Sequence, residues 1–232
     1  MQMTDNCELL SIFPTPVVKF RVPDELMAFV PSLKEKLTEN PRNNASHIMS
    51  LNSYVLDAAE FRSLKNWFTA RTTEFMRLVL TIDSDALLTQ SWINKNAPEQ
   101  YTHKHPHQNS IVSGVFYMDV PDGNALIVFH KPDEGGQWNF SLMPRYYDPE
   151  GRDCTYSARS YKLPISAGEL VLFPSWLLHS VPVNKTSNDR WSLAFNSMTS
   201  AGLGVRAHLT EFVYPKANAF ASEQPNLGGN GV

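Results

Sequence analysis

The second half of the chain is a succession of short β-rich runs, and this feature limits the fold more than any other. From about residue 86, six apolar and β-branched runs are separated by turns that carry Pro, Gly, Asn and Asp: ALLTQSWIN, IVSGVFYMDV, NALIVFH, ELVLF, WLLHSVPV and RWSLAFNSM. Runs of this length between turn residues are typical of β-strands. The pattern therefore predicts a β-sandwich or jelly roll from residue 86 onward.

The first 85 residues have a different periodicity, which is that of helices. Apolar residues recur at helical spacing over residues 24–40, with Asp24 as the predicted N-cap, and again over residues 61–79. The predicted fold class is therefore mainly β: a double-stranded β-helix (jelly roll) with N-terminal α-helices that buttress it.

The length of the chain suits a single domain. With 232 residues, we expect one domain over 1–220, with 1–85 as mostly helical support and 86–220 as the jelly-roll core. The polar segment 221–232 is expected to be a flexible tail. The segment 135–162, rich in Tyr, Arg, Pro and Gly, is predicted to be a lid or substrate loop.

Composition narrows the class of function and the compartment. The net charge is −3, so the sequence does not indicate a nucleic-acid groove, and no stretch is apolar enough to predict a membrane span. Two widely separated cysteines, Cys7 and Cys154, favour a reducing compartment, and a cytoplasmic location is expected. Whether the chain forms a homodimer is left open.

Three of the seven histidines, His103, His105 and His107, precede the second β-run. In an extended strand, residues two apart point to the same face, and Pro106 favours the extended conformation at His105. Two neighbouring imidazoles on one face can hold a divalent ion. The alternative interpretation is a solvated, histidine-rich loop that is only sensitive to pH.

Two later residues bear on that choice. His179 lies in an apolar run and is either a core residue or the third ligand of a facial metal site. Arg190 is the first residue of a predicted strand. Because side chains alternate along a strand, one face carries Arg190, Ser192, Ala194 and Asn196, and this face is small and polar apart from the arginine. An inward guanidinium needs a carboxylate from the protein or from a ligand. The alternative is a surface arginine on an edge strand.

An HxH pair, a later His and an Arg-x-Ser resemble the Fe(II)- and 2-oxoglutarate-dependent oxygenases. The closer resemblance is to a subgroup with the patterns H-x-H-P-x-S-x-x-S-G-V-x-Y, G-[DE]-L-x-x-F-P-S-W-x-x-H-x-V and R-x-S-x-x-F-N. The matching stretches in this chain are HPHQNSIVSGVFY, GELVLFPSWLLHSV and RWSLAFN. The resemblance covers about residues 86–200.

The resemblance implies a set of site residues. The implied iron ligands are His105, His107 and His179. A gap-free count back from Ser113 favours this pair of histidines over His103 and His105, which would need a two-residue insertion. The implied co-substrate residues are Arg190 for the distal carboxylate of 2-oxoglutarate, Ser192 beside it, and Tyr117 and Asn94 for the near end.

The resemblance also implies the reaction, with Fe(II), 2-oxoglutarate and O2 as cofactor and co-substrates. 2-Oxoglutarate would be decarboxylated to succinate and CO2 while a small-molecule or peptide substrate is hydroxylated. One departure from the wider superfamily is that a histidine stands where HxD or HxE is usual, which leaves the site with one more unit of positive charge.

Two other readings stay open at this level. A cupin can also use HxH and a later His, but it usually adds a glutamate shortly after the pair and does not explain Arg190. A non-catalytic jelly-roll binding module is the second. An Arg190 that opens into a pocket beside the histidines favours the oxygenase, whereas a protein-paired Arg190 favours these alternatives.

Overall fold

The computed structural model describes residues 14–39, 41–43, 46–123, 125–131, 160–205, 207 and 210–212. The α-helices are α1 (Asp24–Met27), α2 (Val30–Glu39) and α3 (Arg62–Leu78), and two 3₁₀-helices are Val55–Asp57 and Ala59–Phe61. The strands are β1 (Val18–Arg21), β2 (Pro41–Asn43), β3 (Ile48–Ser50), β4 (Ala86–Asn96), β5 (Thr102–His105), β6 (Val112–Asp119), β7 (Leu126–His130), β8 (Ser160–Pro164), β9 (Glu169–Pro174), β10 (His179–Val181), β11 (Arg190–Thr199), β12 (Leu203–Val205) and β13 (Thr210–Phe212).

Two antiparallel sheets form the body of the fold. The larger has seven strands in the order β1-β9-β6-β11-β4-β3-β2, and the smaller has four in the order β5-β10-β7-β8. A separate hairpin consists of β12 and β13. Neighbours in both sheets are mostly far apart in sequence, as in a jelly roll. The predicted fold class is confirmed.

The central strands of the larger sheet are apolar on both faces because both faces are covered. Along β6, Phe116 and Met118 pack with the helices, whereas Val115 and Tyr117 belong to the cluster between the sheets. Strand β9 alternates in the same way. Alternation of this kind is what a strand requires when each of its faces meets a separate core.

Helix α3 covers the outer face of the larger sheet. The ring of Phe68 stacks on Phe195 of β11 at a centroid distance of 5.2 Å and lies 5.6 Å from the ring of Phe116 on β6. All three side chains are fully buried. The helix therefore holds the strand that begins at Arg190.

The first predicted helix is divided in two. The sequence predicts one helix from Asp24, but α1 ends at Met27 and α2 begins at Val30. Pro31 lies in the first turn of α2, where its missing N–H is tolerated, whereas it would interrupt a continuous helix. The predicted Asp24 cap is also wrong, because Asp24 is the first helical residue and α1 has no side-chain cap.

Residues before 86 also supply three strands, β1 to β3, to the larger sheet. Most of the predicted lid 135–162 and all of the predicted tail 221–232 lie outside the described residues. Within the ranges that are described, no helix is both long and apolar enough to cross a membrane.

Candidate metal and co-substrate site

A cavity of about 320 Å³ lies between the two sheets. The seven residues that the sequence predicted for the site all line it: His105, His107, His179, Arg190, Ser192, Tyr117 and Asn94. The structure therefore brings together residues that are up to 98 positions apart in the sequence.

Three imidazoles meet at one point of this cavity. His105 ends β5 and His179 begins β10, and the two are cross-strand partners. His107 lies just beyond β5, and its backbone N–H donates to the Ser175 carbonyl at 2.8 Å. One ring nitrogen from each of the three histidines lies within 4.8 Å of the others. Their role as metal ligands stays a prediction.

The histidine stretch is not one continuous strand. Strand β5 ends at His105, and Pro106, which has no N–H to donate to a ladder, follows it. The group of three donor atoms does not include His103, whose side chain is exposed. The backbone carbonyl of His103 has a separate part in the site, because it lies 2.8 Å from Nδ1 of His105.

The hydrogen bonds of two rings define which nitrogen is free. Nδ1 of His105 lies 2.8 Å from the His103 carbonyl, and Nδ1 of His179 lies 3.0 Å from the Leu177 carbonyl. A carbonyl oxygen only accepts, so each Nδ1 carries the proton and each Nε2 offers a lone pair. Metal-ligating histidines commonly donate their other N–H in this way. The donor set therefore suits a divalent cation.

Burial keeps these imidazoles neutral, as ligation requires. Desolvation, with a smaller contribution from the neighbouring histidines, lowers the pKa of His179 to about 3. The same causes lower the pKa of His107 to about 4, and burial lowers the pKa of His105 as well. Near neutral pH the three rings are therefore uncharged, and each can present one unprotonated nitrogen to a metal.

Arg190 lies in the same cavity and is not paired with an acid. Its side chain is 2% exposed, and none of the ion pairs among the described residues includes it. Within that part of the chain, its Nε has no hydrogen-bond partner. Burial lowers the pKa of Arg190, an effect that the nearby Tyr117 phenol opposes. A buried cation of this kind is costly unless an anion reaches it.

Strand register places the other co-substrate candidates beside Arg190. Ser192 of β11 is paired with Asn94 of β4 on one side and with Tyr117 of β6 on the other. The Cζ atom of Arg190 lies 5.2 Å from the centroid of the Tyr117 ring. The Tyr117 hydroxyl is buried without a partner in the described structure, and burial raises its pKa to about 12. It is therefore a protonated donor.

Sequence reasoning missed part of the cavity wall. His47 and Met49, which lie at the start of β3, line the cavity, as do Trp92 of β4 and Thr102 of β5. The ring of Trp92 is 5.5 Å from that of His107. No motif marks His47, because the segment before residue 86 was predicted to be mostly helical support and no site residue was expected there. Its burial would have been the relevant signal, and burial is a property of the folded chain.

Comparison with known proteins agrees with the fold and with the family resemblance. Residues 90–196 match the family model described as "Putative 2OG-Fe(II) oxygenase". No curated protein matches the chain in sequence. The chain has the fold of a double-stranded β-helix protein with three clustered histidines. The match over residues 90–196 confirms the predicted resemblance to the 2OG-Fe(II) oxygenases.

Three solved structures illustrate the likeness in fold. The epimerase SnoN, in complex with Fe3+, alpha ketoglutarate and nogalamycin RO, is 13% identical, with a TM-score of 0.60 over 93% of this chain and 88% of SnoN. The carbocyclase SnoK from nogalamycin biosynthesis is 16% identical, with a TM-score of 0.59 over 81% of each chain. A Pseudomonas putida prolyl-4-hydroxylase is 14% identical, with a TM-score of 0.53 over 78% of this chain and 92% of the hydroxylase.

Proposed function

We propose that His105, His107 and His179 bind Fe(II), and that Arg190 binds the distal carboxylate of 2-oxoglutarate in the same cavity. One observation carries this proposal: a buried guanidinium without an acidic partner shares its cavity with three convergent imidazoles. The planar fork of arginine matches a carboxylate in two parallel hydrogen bonds. The anion that Arg190 lacks among the described residues is then the co-substrate.

The neighbours of Arg190 complete the co-substrate site. Ser192 lies on the same face of β11 and can donate its hydroxyl proton to the carboxylate held by Arg190. Tyr117, protonated and unpartnered, is a second donor from β6. We assign Asn94 to the near end of the co-substrate, since it is paired with Ser192 across the strands. A buried donor that gains an acceptor avoids the cost of being unsatisfied.

Charge also favours a dianion in this cavity. Among the described residues, the cavity lining includes no aspartate or glutamate, and the three imidazoles are neutral. A divalent cation at the histidines and the positive charge of Arg190 would have no compensation from these residues in a medium of low dielectric. The two carboxylates of 2-oxoglutarate supply the missing negative charge.

The reaction that follows is an oxidation of a bound substrate. Bound together, Fe(II), 2-oxoglutarate and O2 supply the chemistry that yields succinate, CO2 and a hydroxylated product. The chain's own residues hold the co-substrate at both ends, keep the ligating nitrogens free of protons, and enclose the reacting atoms between the two sheets. Arg190 and Ser192 set the orientation.

The candidate substrate-binding surface is the part of the cavity wall that is not assigned to the metal or the co-substrate. His47, Met49, Trp92 and Thr102 form this wall. We propose a small-molecule or peptide substrate that contacts the Trp92 ring and the His47 imidazole. SnoN and SnoK come from the biosynthesis of a small molecule, whereas the prolyl hydroxylase is named for a residue of peptides.

We extend the proposal to compartment and domain organisation on the evidence of the sequence. A cytoplasmic location fits the two distant cysteines and agrees with oxygenase chemistry that uses ferrous iron. A single domain over 1–220 fits the way in which β1 to β3 and α3 join the same core as the later strands.

Succinate formation tests the function. Purified protein with Fe(II), 2-oxoglutarate and O2 should release succinate, faster when a substrate is present. Anaerobic addition of Fe(II) and 2-oxoglutarate should give the weak visible absorption of a chelated keto acid. Metal binding without either signal would refute the co-substrate assignment and would favour the cupin interpretation.

A further inference from the structure

The imidazole of His107 is placed differently from those of the other two histidines. His105 and His179 are on paired strands of the smaller sheet, and each donates Nδ1–H to a backbone carbonyl. His107 lies beyond the strand, and its Nδ1 meets side chains only. Its orientation therefore depends on those side chains.

The side chains at Nδ1 of His107 come from two strands of the larger sheet. The amide oxygen Oδ1 of Asn196, on β11, lies 2.6 Å from Nδ1, and the hydroxyl oxygen of Ser113, on β6, lies 2.8 Å from it. An amide oxygen only accepts, so a ring nitrogen at this distance must carry the proton. With the proton on Nδ1, Nε2 has the free lone pair that a metal requires.

A chain of serines supports the orientation of the Asn196 amide. The Ser113 hydroxyl donates to Oδ1 of Asn196 at 2.9 Å, and its oxygen lies 2.8 Å from the hydroxyl of Ser175. Ser175 is in turn 2.8 Å from Ser110. Donation from Ser110 to Ser175, from Ser175 to Ser113 and from Ser113 to Asn196 satisfies every hydroxyl in the chain. The amide oxygen is then the acceptor for both Ser113 and His107.

We infer that Asn196 is a positioning residue for the metal site: it holds His107 in the Nδ1–H form and so keeps Nε2 available, with Ser113 fixing the Asn196 amide. This inference rests on the proposed metal site. It adds a partner on β11, where one face already carries Arg190 and Ser192. Asn196 itself is not a ligand, because its side chain is occupied by His107 and Ser113.

The geometry admits one competing arrangement. If the Asn196 amide were turned over, its NH2 group would donate to Nδ1, and the proton of His107 would lie on Nε2. That proton could be donated to Nε2 of His105, which is 3.2 Å away. His107 could then not bind a metal through Nε2 until the proton moved. The two arrangements predict opposite effects when Asn196 is replaced.

The first test observes the proton directly in the metal-free protein. Long-range ¹H–¹⁵N NMR of the histidine rings distinguishes Nδ1–H from Nε2–H. We expect Nδ1–H at His107, and a loss of this preference in Asn196→Leu, whose side chain has the same number of heavy atoms and the same branching but no polar atom. An Nε2–H form of His107 in the unmodified protein would overturn the inference. This readout needs neither iron nor co-substrate, so it stands apart from the succinate assay.

The second test measures zinc affinity by competition with a chromophoric chelator. Loss of a partner behind a metal-bound histidine typically weakens metal affinity about 10- to 100-fold, and we expect this for Asn196→Leu. Asn196→Asp keeps an acceptor and should bind zinc at least as tightly as the unmodified protein. Unchanged or tighter binding in Asn196→Leu would support the turned amide and contradict the inference.

Two further variants separate positioning from general loss of structure. Asn184 is a fully buried asparagine that donates to the Asn96 and Asn188 carbonyls and does not touch the histidines. Asn184→Leu should lower thermal stability while zinc affinity stays the same; a matching loss of zinc affinity would mean that Asn196 acts only through the fold. If Asn196→Leu does not fold, Ser113→Ala serves instead, with a smaller fall in zinc affinity expected and no fall contradicting the inference.

Discussion

A buried arginine that has no acidic partner in the described part of the chain distinguishes this site from the interior of an ordinary β-sandwich. Arg190 is among the largest fully buried side chains of the described structure, and it faces a cavity rather than an acid. Burying a guanidinium in this way lowers stability unless a ligand returns the lost interactions. At the scale of single residues, the molecule is therefore prepared for an anion.

Replacing Arg190 with lysine should weaken 2-oxoglutarate binding and leave metal binding nearly unchanged. Lysine keeps the charge but loses the two-pronged geometry. Loss of a charge-assisted hydrogen bond is worth about 1.5–3 kcal/mol, or roughly one to two orders of magnitude in affinity. Calorimetric titration with 2-oxoglutarate and with zinc measures both. Arg62→Lys, at an exposed position of α3, is the matched control, and equal losses for both ligands would indicate a structural arginine.

Alanine substitutions at His103, His107 and His179 should have different effects on zinc binding. His107→Ala and His179→Ala should abolish zinc binding, because each removes one of the three converging nitrogens. His103→Ala should leave most of it, since the contribution of His103 is its backbone carbonyl, which alanine retains. Competition with a chelator gives the three affinities. A strong loss of zinc affinity in His103→Ala would mean that His103 and His105, rather than His105 and His107, are the paired ligands.

The metal-free protein should lose stability as the pH falls below about 6.5. The pKa of His179 is lowered to about 3 and that of His107 to about 4, whereas both take ordinary values near 6.5 when unfolded. Between these values the unfolded chain binds more protons, so the free energy of unfolding decreases as pH decreases, by at most about 1.4 kcal/mol per pH unit for each histidine. Urea unfolding at pH 7 and pH 5 measures this. His179→Gln should have the shallower dependence, and an equal dependence would contradict the assignment.

At the scale of elements, β11 joins the site to the helices. Its inward face presents Arg190, Ser192 and Asn196 to the cavity side, and its outward face places Leu193 and Phe195 against the helices. The alternation of the sequence predicted this division correctly. Because α3 packs against the outward face of β11, this packing helps to fix the positions of the site residues on the inward face.

Gly114→Ala tests this link between packing and site. Gly114 pairs with Phe195 across β6 and β11, and a methyl group at Gly114 would lie 2.2 Å from Cζ of the Phe195 ring. The ring must move, and overpacking of this kind costs about 1–3 kcal/mol. We expect lower thermal stability and weaker zinc binding, because Asn196 follows Phe195 directly. Phe68→Ala, which removes the ring stacked on Phe195, should also destabilise; unchanged zinc affinity in Gly114→Ala would show that the strand absorbs the shift.

Periodicity and motif spacing account for the features that could be predicted from the sequence. The alternation in RWSLAFN gave the orientation of Arg190 and Ser192, and the spacing from Ser113 selected His105 and His107. The division of the first helix between Met27 and Val30 was missed because the apolar spacing continues across it. His47 was missed because it reaches the cavity only through the pairing of β3 with β4. Contacts between distant segments leave no local pattern.

At the scale of the whole molecule, the three histidines connect the two sheets. His105 and His179 belong to the smaller sheet, whereas His107 is tied to the larger one through Ser113 and Asn196. A metal bound to all three would therefore bridge the two layers. Such a bridge would link the site to the stability of the whole fold.

Metal binding should raise the stability of the whole fold. At a free zinc concentration 100 times the dissociation constant, the gain is about 2.7 kcal/mol. For a domain of this size that corresponds to an increase of roughly 5–10 °C in melting temperature. Differential scanning calorimetry with zinc, and then with excess chelator, measures the gain and its reversal. His107→Ala should show no gain, and a gain that survives this substitution would place the metal elsewhere.

The two-faced strand β11 also limits how this protein can change over time. A side chain on a strand reverses its direction when the strand slips by one position, so one inserted or deleted residue would exchange cavity and core. Point substitutions there alter one contact, but a change of length within the strand would reverse every side chain on one side of the change and so turn Arg190 or Asn196 away from the site. Variation in length among descendants of this chain should therefore collect in connecting loops and avoid residues 190–199.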